Sequence, residues 1–156
     1  MPSGKYPVSE THKPEYETVA AFGNMCLNDD LDSIFKLNDM CNRGGLDTIS
    51  MGSVIAFAME CFENGLLSTR DTGGIELRFG DVGAMLQLVE QIALRQGFGD
   101  TLAEGVARVA RKIGPAAEQY AMHIKGQELP MHEPRLKQGL GVGYAISPTG
   151  ADHCHN

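Results

Sequence analysis

Val54, Ile55, Phe57, Ala58, Met59, Cys61 and Phe62 follow one another so closely that a helix through them is apolar around most of its circumference. Such a helix has no face to offer water and belongs in the middle of a fold. Asp47, Thr48 or Ser50 supplies its N-cap, and Asn64-Gly65 its stop. The stretch from Leu66 to Asp81 is turn-rich; Ile75 to Phe79 alternates too weakly for a strand and reads as a loop.

Amphipathic segments flank this centre. Glu15 to Met25 presents Tyr16, Val19, Ala20 and Phe22 on one side. Asn28 or Asp29 caps a second helix carrying Leu31, Ile34, Phe35, Leu37, Asn38 and Cys41, which Gly44-Gly45 ends. Asp81 caps a helix through Met85, Leu88, Val89 and Ile92 to Gly97. After the corner Gly97-Phe98-Gly99-Asp100, with Asp100 as cap, Leu102, Ala103, Val106, Val109, Ala110 and Ile113 form a stripe closed by Gly114-Pro115. A shorter helix is expected from Ala116 to His123. Helices joined by short connections predict an all-α, antiparallel bundle-like fold.

Three segments are expected: an extended lead-in over 1–14 with Pro2, Gly4, Pro7 and Pro14, a helical domain over 15–124, and the start of a truncated following domain over 125–156. In the last, Pro130, His132, Pro134, Gly139, Gly141 and Gly143 predict an irregular, constrained backbone rather than a packed helix. Gly139-Leu140-Gly141-Val142-Gly143 lacks the spacing and strand–helix setting of a dinucleotide loop. The sequence stops at Ala151-Asp152-His153-Cys154-His155-Asn156, which reads as a cut.

A net charge of −7, with scattered lysines and arginines, argues against a nucleic-acid or anionic membrane partner. No apolar run approaches the roughly 18 residues of a membrane span. Cys26, Cys41, Cys61 and Cys154 include no Cys-x-x-Cys pair and read as reduced residues of a cytoplasmic protein.

Among reactive groups, Asp152, His153, Cys154 and His155 are too close in sequence to converge easily on one metal, so no metal site is assigned. His153, in a glycine-flanked loop, is the better candidate for moving a proton. Glu17 reads locally as a surface glutamate unless its helix faces a closed pocket. His12, His123 and His132 gain no comparable support. Asn42-Arg43-Gly44-Gly45-Leu46-Asp47 is either helix-to-helix punctuation or a corner that offers backbone amides and the Asp47 carboxylate to a polar ligand.

Taken together, Pro14-Glu15-Tyr16-Glu17-Thr18, Cys41 to Ser50, Ile55 to Cys61, Gly99 to Val106, Lys125 to Pro130 and Gly150-Ala151-Asp152-His153 resemble, in order and spacing, the helical part of the tungsten-containing aldehyde:ferredoxin oxidoreductases. The resemblance implies a tungsten (or molybdenum) bis-pterin cofactor, with one pterin held at a turn matching Asn42, Gly45, Leu46 and Asp47. It implies that Glu17 lies near the metal and that His153 assists proton transfer. The implied reaction oxidises a small aldehyde to a carboxylic acid and sends electrons through a [4Fe-4S] cluster to ferredoxin. The family's N-terminal cofactor domain, its cluster cysteines and its second pterin turn are not matched within these residues, so the chain alone is expected to be inactive and to retain no cofactor. A Glu-x-x-His subunit-bridging motif is absent as well, leaving a homodimer to some other surface. The competing expectations are a relative acting on another carbonyl or carboxyl substrate, and a non-catalytic all-α module.

Overall fold

The computed structural model describes residues 4–154. It is mostly helical, with one two-stranded hairpin; Pro2 of the expected lead-in and His155 lie outside the described residues.

The first helix, α1 (Tyr16–Val19), runs directly into a π-helical turn over Ala20–Asn24. Met25 N–H reaches back to Ala20 O at 3.0 Å and Asn28 N–H to Gly23 O at 2.9 Å. Helix α2 (Leu31–Gly44) is capped by Asp30, one or two residues later than expected, because its carboxylate accepts Ser33 N–H at 3.2 Å. Asn28 is instead a buried brace that accepts Asp30 N–H and donates to Ser33 Oγ. Gly45, at φ +64°, ends α2 in the left-handed conformation that favours glycine, and Leu46 N–H closes the turn on Cys41 O at 2.9 Å.

Helix α3 (Thr48–Glu63) is the central helix: every residue from Met51 to Met59 is buried, as is Cys61. Its axis turns 118° from that of α2, so these two helices are not the antiparallel pair expected. Gly52 lets α3 approach the π-turn backbone, since a Cβ there would stand 2.6 Å from Ala21 Cβ. Residues 64–81 contain no helix or strand. Ile75 and Leu77 are nevertheless buried against the core.

Asp81 caps α4 (Val82–Leu94) through Ala84 N–H at 3.0 Å. The stripe expected as one helix to Ile113 is broken into α5 (Gly97–Leu102) and α6 (Val106–Ile113). Asp100 lies within α5 and pairs with Arg95 at 2.8 Å rather than capping a helix. The break falls at Gly105, whose φ of +83° takes the chain out of the helix, and buried Glu128 accepts the freed Val106 N–H at 2.8 Å where α6 begins. After one turn of α7 (Pro115–Glu118), the expected helix to His123 gives way to β1 (His123–Ile124), antiparallel to β2 (Gln127–Glu128).

The segment 138–146 also departs from the expected irregular backbone. Gly139, Gly141 and Gly143 sit inside a helix, α8 (Gln138–Ile146), despite a propensity penalty of about 1 kcal/mol for each glycine relative to alanine. The helix buries Tyr144 and lays Gly141 against Pro134. No single helix among the described residues is long and apolar enough to cross a membrane. Cys26, Cys41 and Cys61 are buried free thiols, and Cys154 is exposed.

Candidate functional site

Tyr16 and Glu17, at the start of α1, grip Met131 and His132 across the fold. Tyr16 Oη donates to Met131 O at 2.7 Å, and Met131 N–H donates to Glu17 Oε2 at 2.6 Å. The Tyr16 ring stacks on the His132 imidazole, with centroids 5.5 Å apart and planes 28° from parallel. Glu17 Oε1 then stands 2.9 Å from His132 Nε2 and 3.7 Å from His153 Nε2. The two imidazoles are 5.1 Å apart. Although so close to two ring nitrogens, Oε1 is buried and has no aligned hydrogen-bond donor among the described residues. Side-chain exposures of 15%, 24% and 29% for Glu17, His132 and His153 leave the cluster sheltered yet reachable by a small molecule.

Three contacts bring the remaining pieces to this point. Thr18 Oγ1 and Thr48 Oγ1, 2.8 Å apart, tie the Glu17 helix to the first turn of α3. Ser50 Oγ donates to Glu128 Oε2 at 2.9 Å and joins that turn to the hairpin. Gly150, at φ +110°, packs so tightly on the hairpin that a Cβ would run into Ile124 O, and this approach delivers Asp152 and His153. The result is a cleft of about 350 Å³ lined by residues that include Asp47, Ser50, Glu128, Asp152 and His153.

Glu17 and His153 therefore meet, and Asp47 lies on the same cleft as His153. Asp47 is also the N-cap of α3, with Oδ2 accepting Ser50 N–H at 2.7 Å. Asn42, Gly45 and Leu46 are not among the cleft-lining residues; they form the end of α2 and its capping turn. His12 is exposed on the lead-in, and His123 accepts Gly126 N–H within the hairpin turn. The residue that local reading passed over is His132. Its neighbour Pro130 and a glycine-rich context gave no periodic signal, and only the tertiary clasp reveals its place.

Tyr144 is the other unsatisfied group. Its buried hydroxyl has no hydrogen-bond partner among the described residues, and burial, reinforced by the negative charges of Glu17 and Asp152, holds its pKa above the usual tyrosine value. Ligand-capable atoms of Glu17, His132 and His153 lie within 4.8 Å of one another, as do those of Asp152, His153 and Cys154. In the second set Asp152 Oδ1 accepts Cys154 N–H at 2.7 Å, which folds the tail into a tight turn.

On the other side of Tyr16 and His132 opens a larger, mostly apolar groove of about 1130 Å³ with Phe57, Phe79, Tyr120 and Met122 among its walls. Pro130 lines both cavities, so the Glu17 cluster lies at the partition between them.

The family model for "Aldehyde ferredoxin oxidoreductase, domains 2 & 3" matches residues 1–156. The chain belongs to the aldehyde ferredoxin oxidoreductase family. Within that family it is 43% identical over 150 residues to the tungsten-containing aldehyde ferredoxin oxidoreductase of Pyrococcus horikoshii, a match covering 94% of this chain and 24% of that protein. The Pyrococcus furiosus enzyme of the same name is 43% identical over 151 residues, covering 96% and 24%. An aliphatic sulfonate oxidoreductase, WOR-like subunit, of P. furiosus is 35% identical over 156 residues, covering 96% and 25%. A solved structure of the active-site complex BamBC of benzoyl coenzyme A reductase with 1,5-dienoyl-CoA superimposes with a TM-score of 0.70 at 30% identity, covering 90% of this chain and 22% of that one. The chain thus spans about a quarter of the length of the curated relatives it matches.

Proposed function

We propose that this chain forms the proton-handling, pterin-facing part of a tungsten-pterin oxidoreductase that converts aldehydes to carboxylic acids and passes electrons through a [4Fe-4S] cluster to ferredoxin. The observation that carries this reading is the meeting of Glu17 and His153, 3.7 Å apart, from opposite ends of the sequence. The family resemblance puts the first near the metal and gives the second a part in proton transfer.

The residues present fit the cofactor. Asp47 uses one carboxylate oxygen for its cap, and its Oδ1 makes no hydrogen bond among the described residues, leaving an acceptor for pterin N–H groups. The buried, donor-free Oε1 of Glu17 is the kind of atom a ligand or ordered water completes. In this reading Asp47 holds the pterin edge, and the bound tungsten-pterin group supplies the two-electron acceptor.

The balanced reaction, aldehyde plus water giving carboxylic acid, two protons and two electrons, leaves this chain's side chains two tasks. Glu17 takes a proton from water or the hydrated aldehyde at Oε1, and His153 Nε2 moves a proton beside it. Positioned acid–base groups of this kind contribute about 10²–10⁴-fold. The apolar groove beyond Tyr16 and His132 is the route for the aldehyde, because its walls suit a hydrocarbon tail and its inner end reaches the cluster.

A second reading has its own support. The likeness to a benzoyl coenzyme A reductase complex favours a family member acting on a different carbonyl-bearing substrate, and the likeness to a sulfonate oxidoreductase subunit shows that substrates outside the carbonyl and carboxyl classes occur among its relatives. The deciding experiment purifies, without oxygen, the intact protein that carries this chain, measures tungsten, molybdenum and pterin, and assays dye reduction with aldehydes, aryl-CoA thioesters and sulfonates. Metal, pterin and aldehyde-dependent reduction support the main reading. Metal and pterin with turnover only on the other classes support the second, and a protein lacking both metal and pterin overturns both.

A further inference from the structure

We infer that His132 is a positioning residue for Glu17, and that Lys137 sets the ring tautomer in which it does so. This rests on the proton role proposed for Glu17. The two carboxylate oxygens of Glu17 are addressed by consecutive residues: Oε2 accepts the Met131 amide at 2.6 Å, and Oε1 faces His132 Nε2 at 2.9 Å. The stack on Tyr16 limits the ring to a narrow range of tilt, and the bond from Tyr16 Oη to Met131 O holds the peptide just before it.

The opposite ring nitrogen decides what Nε2 can offer. Lys137 Nζ lies 3.5 Å from His132 Nδ1. An ammonium has only donors, so Nδ1 accepts and, in the neutral ring, Nε2 carries the hydrogen. That hydrogen is the nearest donor to an oxygen that is buried and otherwise without one. A modest ring rotation aligns it, as catalytic hydrogen bonds commonly do once a ligand is bound. His132 then holds the Glu17 carboxylate at one angle without taking its proton. The same assignment opposes a cation shared by Glu17, His132 and His153, since a metal needs a bare Nε2.

The test uses the intact protein labelled with nitrogen-15 histidine, the His132 signals being identified by their loss in His132→Gln. The expected result is an Nε2–H tautomer that becomes a mixture in Lys137→Met, a substitution at an exposed side chain. An Nδ1–H tautomer in the unmodified protein, or a ring signal insensitive to Lys137→Met, overturns the inference. This measurement needs no turnover, so its failure is separable from failure of the aldehyde reading. Kinetics at equal tungsten content supply the second arm. Gln places an amide donor near Nε2 and keeps most of kcat, whereas His132→Asn and His132→Phe lose about 10–100-fold in kcat with KM little changed. Equal losses in Gln and Phe, or a full rate in Phe, contradict the donor role.

Discussion

Thr18 and Thr48 share a hydrogen bond at 2.8 Å, and each is the immediate neighbour of a candidate site residue, Glu17 and Asp47. The pair locks the start of α1 to the first turn of α3. Thr18 is buried, so Thr18→Val removes the bond with little change of shape. The expected loss is about 1 kcal/mol of stability. Thr18→Val combined with Thr48→Val costs less than the sum of the two, read by urea unfolding.

Asp47 has two roles that substitution separates. Asp47→Ala removes the α3 cap and costs about 1 kcal/mol, whereas Asp47→Asn retains the cap and stays within a few tenths of the parent. If the carboxylate also holds the pterin, both variants of the intact protein lose pterin on desalting, measured by fluorescence of the oxidised cofactor. Full pterin retention by Asp47→Asn contradicts a role for the charge.

Much of this arrangement was legible before the fold. The apolar circumference of α3, the caps at Asp47 and Asp81, and the stop at Gly45 are local signals, and the structure contains them. The split between α5 and α6 has one local mark, Gly105 at φ +83°, and one remote partner, Glu128, which accepts Val106 N–H from far along the chain and gives no signal in the stripe itself. Helix α8 was hidden: three glycines argue against a helix locally, and burial of Tyr144 outweighs them. The site divides the same way. Family motifs singled out Glu17, Asp47 and His153, while His132 acquires meaning only through a clasp spanning the fold.

Gly52→Ala tests the close approach of α3 to the π-turn. The added Cβ would lie 2.6 Å from Ala21 Cβ and 2.9 Å from the Ala21 carbonyl carbon, and neither the helix nor the turn yields cheaply. Destabilisation of about 1–3 kcal/mol or more is expected in urea unfolding. A neutral result would mean that α3 sits farther from Ala21.

The cysteines give a pH-dependent prediction. Burial pushes the Cys26 and Cys41 thiols up to about 12, Cys41 with further help from Asp47, and Cys61 to about 11. At pH 8 these groups stay neutral thiols, so iodoacetamide labels exposed Cys154 first and the other three only on unfolding. Their raised values favour the folded state fully below the ordinary thiol pKa of about 8.5. Stability should fall progressively as pH rises from the unfolded thiol pKa of about 8.5, and this contribution is lost once pH has passed through the folded values of about 11 to about 12. Rapid labelling of all four thiols at pH 8 in the folded protein contradicts the burial.

Glu17 is proposed to handle protons beside a tungsten-pterin group, and Glu17→Gln in the intact protein, with tungsten content and aldehyde-dependent dye reduction measured on the same sample, is the decisive experiment. Unchanged tungsten and a fall in kcat of about 100-fold or more are expected. Unchanged tungsten with an unchanged rate would contradict that role.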